Sequence, residues 1–429
     1  MAPSVDPRRA AEILLSALGM ELVSCTELQT LWAGYGHICA IKAKPSNPEQ
    51  LPPGLGPLPD TGAVPLILKL ISPPHSRGNR NMDEGHLRKM LSYEVEQYFY
   101  QHVAPQLPTR DVAVAKCLVS TADPRLLRDV PDAAQLDGVT ATIMTDLRPE
   151  FPVAGEKRGV LSPRQVHAAL DWLARFHGAT RSKLASPRAD RLDIDLAEYL
   201  QPPLDEARRR RDGSNGTPGS KLWLNGGYTY LATRRKEYKS LERDGYSEWS
   251  AAFCTKTPPK TGVSVAEMAA AFLTPTARSF ESYIHGDVKS ENLFTTQDED
   301  RVAFFDFQYV GLGLGVCDLA KLFTRSVPME MLVDTDETDL PERLEMGAGE
   351  KELLERYRQR FLATTRIGDG ALAYDDWALF VRHWETALVD WCRFQASWGF
   401  WGNTEWLEAR VRSILADEGW RAWLGKEVT

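Results

Sequence analysis

Short apolar runs separated by turn residues dominate the first 150 positions. Two such runs within 22–44 flank Gly34 and Gly36, a pattern typical of two strands joined by a glycine turn. Further short apolar runs at 112–119 and 138–145 predict two more strands. The first third of the chain is therefore expected to form a β-rich region.

A fifth apolar run, 65–71, is a buried-strand pattern with Lys69 at its centre. A buried ammonium group is costly unless it has an anionic partner. The apolar period over 87–103 predicts a helix that carries two carboxylates, Glu94 and Glu96, on different faces. We expect Glu96 to pair with Lys69.

Helical periods prevail in the rest of the chain. Asp6 followed by Pro7 predicts a capped amphipathic helix at the N-terminus, and Ser162 followed by Pro163 predicts another, which we expect to end at Gly178. The proline-rich turn that follows Leu147 separates the two regions. We expect an N-terminal lobe over 1–146 and a larger C-terminal lobe over 147–429.

Two stretches of the C-terminal region have unusual compositions. Four tryptophans at intervals of seven share one helical stripe: Trp377, Trp384, Trp391 and Trp398. Such a stripe most often packs in a core, but part of it could instead face a small-molecule acceptor. The segment 201–220 joins a run of arginines to glycine, serine and proline, which predicts a mobile loop.

The composition excludes several classes of protein. Hydrophobic residues make up 43% and charged residues 26% of the 429 positions, so the chain has enough apolar material for a globular core. A net charge of −8 gives no general attraction to nucleic acid or to anionic membranes. The apolar stretch 63–71 is far shorter than the roughly 18 residues of a membrane span. The six cysteines form no C-x-x-C pair, which favours a soluble protein of the reducing cytosol.

The strongest chemical signal is the sequence YIHGDVKSENLF at 283–294, followed by VAFFDFQ at 302–308. Its order, H-x-D-x-x-x-x-N and then D-F, is that of kinase phosphoryl-transfer sites. We expect Asp287 to accept or orient the proton of an acceptor hydroxyl. The amide oxygen of Asn292 and the carboxylate of Asp306 are hard ligands that suit Mg²⁺ on ATP.

Three neighbouring residues have less certain roles. Lys289 could neutralise charge on the transferred phosphoryl group, although a surface lysine is the simpler interpretation. Asp318 could cap the next helix or hold the catalytic loop by backbone hydrogen bonds. We expect His285 to pack within the loop rather than to titrate in catalysis.

The N-terminal region supplies the candidate nucleotide contacts. Lys69, held by Glu96, is expected to meet the α and β phosphates of ATP. Gly34 and Gly36 could let backbone N–H groups approach the phosphates, or could simply form a hairpin turn. The adenine is expected to meet the backbone at 145–147, which assigns Thr145 and Leu147 to the cofactor site.

At these residues the sequence resembles the aminoglycoside phosphotransferase and choline kinase superfamily, and within it the ecdysteroid kinase-like group. The resemblance rests on SYEVEQYFY at 92–100, on the catalytic loop with Asp306-Phe307-Gln308, and on LWLNGGYTYLATR at 222–234. It implies a protein-kinase-like α+β fold with a small β-rich lobe, a larger mainly helical lobe and ATP in the cleft. It also implies an ATP- and Mg²⁺-dependent small-molecule kinase with a hydroxyl acceptor.

Departures from protein kinases favour a small-molecule acceptor. Gly286 replaces the arginine of H-R-D, Gln308 replaces the glycine of D-F-G, and no A-P-E segment is recognisable. The acceptor could be a sterol-like polyol, an amino alcohol or a glycosidic natural product. Two alternatives remain, a non-catalytic nucleotide-binding module with the kinase fold and a protein kinase.

Overall fold

A computed structural model describes most of the chain. The described residues are 5–31, 34–47, 52, 55, 60–73, 83–185, 191–212, 221–257, 262–333, 340–365 and 373–429. They fall into two compact units, of which the first comprises Met1–Gln106 with Val114–Glu150 and the second Leu107–Ala113 with Phe151–Thr429. Each unit has its own secondary structure and is described by itself.

The first unit contains a five-stranded antiparallel sheet. Its strands are β1 (Met20–Thr30), β2 (Gly36–Pro45), β3 (Val64–Ile71), β4 (Cys117–Ser120) and β5 (Thr140–Thr145), in the spatial order β1-β2-β3-β5-β4. These elements confirm the predicted β-rich region and its glycine-joined hairpin. Strand β3 lies in the centre of the sheet, so both of its edges are paired and the Lys69 backbone is fixed.

Three helices accompany this sheet: α1 (Pro7–Ser16), α2 (Glu84–Tyr98) and the single turn α3 (Pro124–Leu127). Helix α1 begins as predicted, because the Asp6 carboxylate accepts hydrogen bonds from the first backbone N–H groups. Its apolar face packs on the sheet in one core cluster. Helix α2 continues through a π-helical turn, Phe99–Val103, which confirms the helix predicted over 87–103.

The second unit contains three small antiparallel sheets. One consists of β6 (Val153–Ala154), β10 (Leu293–Thr295) and β11 (Val302–Phe304), with β10 in the middle. The other two pair β7 (Lys256–Thr257) with β8 (Val263–Ser264), and β9 (Ser282–Ile284) with β12 (Gly311–Gly313). Strands β9 to β12 surround the predicted catalytic loop.

Helices are the main regular structure of the second unit. They are α4 (Pro163–Leu184), α5 (Pro203–Arg211), α6 (Arg235–Glu242), α7 (Glu248–Cys254), α8 (Val265–Leu273), α9 (Val316–Arg325), α10 (Ala348–Thr365), α11 (Trp377–Trp398), α12 (Thr404–Ala416) and α13 (Glu418–Glu427). Across the described residues, no helix is both long enough and apolar enough to cross a membrane.

Helix α4 starts as predicted but does not end at Gly178. Ser162 and Gln165 form a reciprocal capping box at its start, and the helix runs on to Leu184. A Cβ atom at position 178 would stand 2.6 Å from the Cβ of Thr364 in α10. This glycine permits close packing of two helices, and it does not end one.

The prediction of a mobile loop over 201–220 is wrong for its first half, because Pro203–Arg211 is helix α5. Asp205 and Glu206 lie in the first turn and four arginines in the last, which suits the helix dipole. The Glu206 carboxylate is fully buried and pairs with Arg209 and Arg210 of its own helix. The remainder of that prediction, 213–220, lies outside the described residues.

The tryptophan stripe belongs to α11, as its period predicted. Trp384 and Trp391 are buried, Trp377 is half-buried, and Trp398 at the C-terminal end of the helix is 57% exposed. The middle of the stripe is therefore core. Its C-terminal end is the most exposed part.

Candidate active site

The predicted catalytic loop connects β9 to β10 in the second unit. The loop begins after Ile284 with His285 and Gly286. It ends in a short 3₁₀ turn, Ser290–Asn292. The backbone carbonyl of Asn292 accepts a hydrogen bond of 3.0 Å from the Phe305 N–H. The end of β11, which delivers Asp306, is thereby fixed to the end of the loop.

Asp318, in the first turn of α9, holds this loop. Its two carboxylate oxygens accept the backbone N–H groups of His285 at 2.6 Å and Gly286 at 2.9 Å. His177 of α4 contacts the same carboxylate at 3.2 Å. Burial opposes the charged form, but the bond from His177 lowers the pKa of Asp318. Of the two roles considered for this residue, the geometry is that of a loop anchor.

His285 packs within the loop, as predicted. Its Nε2 lies 3.0 Å from the Phe305 carbonyl oxygen, and its ring lies against those of Phe304 and Phe307. Burial lowers the pKa of His285, so the neutral imidazole is favoured.

The Asp287 carboxylate lies between two cations. Lys289 Nζ is 3.0 Å from its Oδ2, and Arg325 Nη1 is 3.0 Å from its Oδ1. The side-chain amide of Asn292 donates to the Asp287 carbonyl and to its Oδ2. Burial alone would raise the pKa of Asp287, but Lys289 and Arg325 lower it to about 2. The group is a carboxylate at neutral pH.

Lys289 has a second anionic neighbour. Its ammonium group lies 3.2 Å from Glu291 Oε1 as well as 3.0 Å from Asp287. Burial opposes its charge, but Asp287 raises the pKa of Lys289, which keeps the lysine charged beside the Asp287 carboxylate. It is not the solvent-screened surface lysine of the simpler interpretation.

Sequence reasoning missed Arg325. This residue ends α9, 38 positions after Asp287, and its side chain is 11% exposed. No local motif marks it, because its contact with the loop depends on how α9 packs. The only sequence signal for Arg325 was its position on the amphipathic helix α9, four residues after Lys321.

Asn292 and Asp306 offer oxygen atoms near the loop. Because both hydrogen bonds of the Asn292 amide nitrogen go to Asp287, its amide oxygen is left to serve a cation. Asp306 adopts the left-handed conformation, with φ 66°, and its Oδ1 accepts a 2.6 Å hydrogen bond from Gln308. Among the described residues, no three His, Cys, Asp or Glu side chains cluster as a metal site. Two oxygen ligands suit Mg²⁺, which takes most of its shell from phosphates and water.

A separate motif segment, 222–234, lies against the catalytic loop. The N–H of Gly226 donates to the Leu312 carbonyl at 2.6 Å, and that of Gly227 to the Tyr309 carbonyl at 2.9 Å. The Tyr228 ring lies 4.7 Å from the Tyr309 ring. Burial, with Asp287 as a lesser cause, raises the pKa of Tyr228. The segment therefore belongs to the surroundings of Asp287.

In the first unit, Lys69 and Glu96 form an ion pair. Lys69 Nζ lies 2.6 Å from Glu96 Oε2, and both side chains are at most 10% exposed. The two residues line one small pocket with Tyr93 and Thr142. A buried lysine that is paired in this way is held in one position.

The other predicted nucleotide residues lie at a turn and at the end of strand β5 in the first unit. Gly34 has a φ of 69° and Gly36 a φ of 149°, and a Cβ at Gly36 would overlap the Leu70 carbonyl, so this turn requires glycine. At the end of β5 the Thr145 N–H already donates to the Lys116 carbonyl at 2.9 Å. The Leu147 carbonyl accepts a hydrogen bond from Glu150.

Comparison with known proteins gives one family and several solved structures. The model of the phosphotransferase enzyme family matches residues 60–359. No curated protein matches the chain.

Three solved structures show a distant likeness. A macrolide 2′-phosphotransferase from Brachybacterium faecium is 12% identical, with 98% of this chain and 97% of that one covered and a TM-score of 0.38. An ethanolamine kinase from Plasmodium vivax is 11% identical, with 94% and 84% covered and a TM-score of 0.38. A thermostable aminoglycoside phosphotransferase mutant with ADP and hygromycin B is 10% identical, with 94% and 96% covered and a TM-score of 0.37. Such low values transfer no substrate to this chain.

Proposed function

The chain belongs to the phosphotransferase enzyme family, and on that premise we propose that it transfers the γ-phosphoryl group of ATP to a hydroxyl group of a small molecule. Asp287 is the residue that receives and orients the acceptor hydroxyl. The observation that carries this proposal is the ionised Asp287 carboxylate, which two cations and the Asn292 amide hold in one position.

The environment of Asp287 suits orientation more than strong basicity. A carboxylate whose pKa is about 2 accepts a hydrogen bond well but removes a proton weakly in the ground state. Phosphoryl transfer requires mainly positioning and charge stabilisation, so this property fits the reaction. Lys289 and Arg325 also place positive charge where negative charge develops.

Asn292 and Asp306 would hold the metal ion that accompanies the nucleotide, and we assign this ion as Mg²⁺. Their oxygen atoms are the ligand type that Mg²⁺ prefers. When bound, Mg²⁺ neutralises charge on the phosphates. The contact of Gln308 with Asp306 orients the carboxylate before any ligand arrives.

In the first unit we assign Lys69, held by Glu96, to the α and β phosphates of ATP. The 2.6 Å ion pair supports this role, because it fixes the position of the ammonium group. Gly34 and Gly36 are assigned to the phosphate-covering turn. Leu147 and the carbonyl of Thr145 are assigned to the adenine, since the Thr145 N–H is already bonded.

We further place the chain in the ecdysteroid kinase-like group of the family, on the strength of the segments 92–100 and 222–234. The lobes are proposed to divide at residues 146 and 147. The protein is proposed to act in the cytosol, where its six cysteines would stay reduced.

The activity is tested with purified protein, ATP and Mg²⁺ against a pooled library of hydroxylated metabolites, with the products read as a mass gain of one phosphate. A phosphorylated small molecule is expected, and generic peptides and proteins should stay unmodified. Binding of Mg-ATP without phosphorylation of any acceptor would favour a non-catalytic module. Phosphorylation of peptides alone would favour a protein kinase.

A further inference from the structure

Lys321 in α9 is a buried cation close to the catalytic loop. It is 4% exposed, and its ammonium group donates to the Cys317 carbonyl of its own helix at 3.1 Å. Among the described residues, Lys321 forms no ion pair with a carboxylate. A buried charge without a counterion is costly.

The nearest carboxylates are engaged elsewhere. Asp318, three residues before Lys321, accepts hydrogen bonds from the catalytic loop and contacts His177. Asp390 of α11 pairs with Arg393 at 2.7 Å. Neither carboxylate forms an ion pair with Lys321.

Two further donors lie in the same region of α11. Lys321 Nζ is 5.7 Å from the centre of the Trp391 ring. The indole Nε1 of Trp391 and the amide Nε2 of Gln395 are buried and have no hydrogen-bond acceptor among the described residues. Trp391 and Gln395 are four residues apart and share a helical face. The Gln395 oxygen accepts the Trp401 N–H at 3.2 Å, which fixes the orientation of its amide.

These three donors are named here the donor cluster (Lys321, Trp391 and Gln395), and its member Lys321 lies near the catalytic loop. A Cβ at Gly227 would stand 3.8 Å from Lys321 Nζ and 3.4 Å from the Gly286 carbonyl, so a group of methyl size fits there. Lys321 and Arg325 lie one turn apart on α9, which separates their Cβ atoms by about 6 Å. Arg325 in turn contacts Asp287.

The half-buried Trp401 covers this region. Its ring packs on Trp391 at 5.7 Å and lies 5.9 Å from the Arg325 guanidinium. A ligand that reaches the donor cluster would therefore pass beside or displace the Trp401 ring.

Resting on the proposed function, we propose that the donor cluster binds a carboxylate group of the acceptor, and that the acceptor is a hydroxy acid. A carboxylate supplies the charge and the lone pairs that Lys321, Trp391 and Gln395 lack. Its hydroxyl group would lie at Asp287, which Arg325 contacts one helical turn from Lys321 on α9.

The test uses the full-length protein with 4-hydroxybutyrate, 6-hydroxyhexanoate and 3-hydroxybenzoate, each beside its methyl ester. The melting temperature is measured for the wild type, for Lys321→Met and for Trp391→Phe. Lys321→Met should fold, because the apolar side chain removes the cost of burying an unpaired charge. Lys236→Met, on the exposed face of α6, is the matched control.

At least one acid should raise the melting temperature of the wild type and of Lys236→Met, while its ester should not. Lys321→Met should abolish the shift, and Trp391→Phe should weaken binding about tenfold, the size of one hydrogen bond to a charged group. No shift with any acid, an equal shift with the esters, or a shift that survives Lys321→Met would overturn the proposal.

Phosphate transfer to the same compounds separates this proposal from the function on which it rests. If neutral or cationic acceptors are phosphorylated and no acid binds, the donor cluster has been misassigned and the kinase stands. If acids bind through Lys321 while Asp287→Asn transfers phosphate at the wild-type rate, the kinase mechanism fails and the carboxylate site stands.

Discussion

Single side chains in this protein owe their protonation states to their surroundings rather than to their residue type. Asp287 stays ionised because Lys289 and Arg325 outweigh the effect of burial. His383 of α11 shows the reverse case, since burial and then the nearby Arg278 lower its pKa to about 3. The first effect serves the proposed chemistry, and the second affects stability.

We predict that His383 makes the protein sensitive to mild acid. The unfolded state binds a proton at the ordinary value of 6.5, but the folded state does not until about pH 3. The contribution of His383 to the free energy of unfolding is therefore fully present above pH 6.5 and is lost as the pH falls below that value. The loss is about 2 kcal/mol between pH 7.5 and pH 5. Denaturant unfolding at a series of pH values measures this loss.

His383→Asn should flatten that pH dependence, because it removes the titrating group and keeps a partner for the Tyr374 hydroxyl, which lies 3.0 Å from Nδ1. His102→Asn, at an exposed position, is the control and should leave the slope unchanged. An unaltered slope in His383→Asn would show that other groups cause the acid sensitivity.

Among the elements of the second unit, α9 does the most for the candidate site. It supplies Asp318, which anchors the loop, and Arg325, which contacts Asp287. The D-F and H-x-D motifs were readable from the sequence, because their residues act over short spans of chain. The contact of Arg325 with Asp287 could not be predicted, because it depends on tertiary packing across 38 positions. The anchoring role of Asp318 was one of the two roles that the sequence offered, and only the packing of α9 decides between them.

Asp318→Asn should loosen the catalytic loop. An amide nitrogen cannot accept a backbone N–H, so one buried donor at His285 or Gly286 is left unpaired, at a cost of about 1–3 kcal/mol. We expect kcat to fall at least tenfold while nucleotide affinity changes little. Asp298→Asn, in an exposed turn, should leave both unchanged. Wild-type kcat in Asp318→Asn would contradict the anchoring role.

The close packing of α4 on α10 gives another prediction at this scale. Gly178→Ala should destabilise the protein although alanine favours helices, because its Cβ would stand 2.6 Å from that of Thr364. Gly425→Ala in α13 is the matched control, since a Cβ there meets nothing within 4 Å, and it should stabilise by about 1 kcal/mol. Thermal unfolding distinguishes the two. An equal change in melting temperature for the two variants would mean that α4 and α10 can move apart without loss of stability.

For the molecule as a whole, the family match over 60–359 confirms the predicted kinase-like α+β fold and the class of activity, an ATP-dependent small-molecule phosphotransferase. Strands and helices with clear periods were predicted correctly. Helix α5 was missed because Arg208 to Arg211 give it no apolar face, and polar contacts of the buried Glu206 with Arg209 and Arg210 support it instead. The end of α4 was missed because Gly178 was interpreted without its neighbour.

Removal of divalent metal should affect activity and not the fold. The proposed metal ligands are Asn292 and Asp306, and the described residues hold no larger metal-binding cluster. We expect EDTA to abolish phosphate transfer, with recovery on addition of Mg²⁺, while the melting temperature without nucleotide stays constant. A large fall in melting temperature would reveal a structural metal instead.

The central claim is that Asp287 orients the acceptor hydroxyl. The most direct measurement compares the wild type, Asp287→Asn and the control Asp298→Asn in phosphate transfer to the acceptor found in the library, beside titration of Mg-ATP binding. Asp287→Asn should lower kcat by a factor on the order of 10² to 10⁴, as loss of a catalytic acid–base group does, and should bind Mg-ATP within a few-fold of the wild type. Transfer by Asp287→Asn at the wild-type rate would contradict the account.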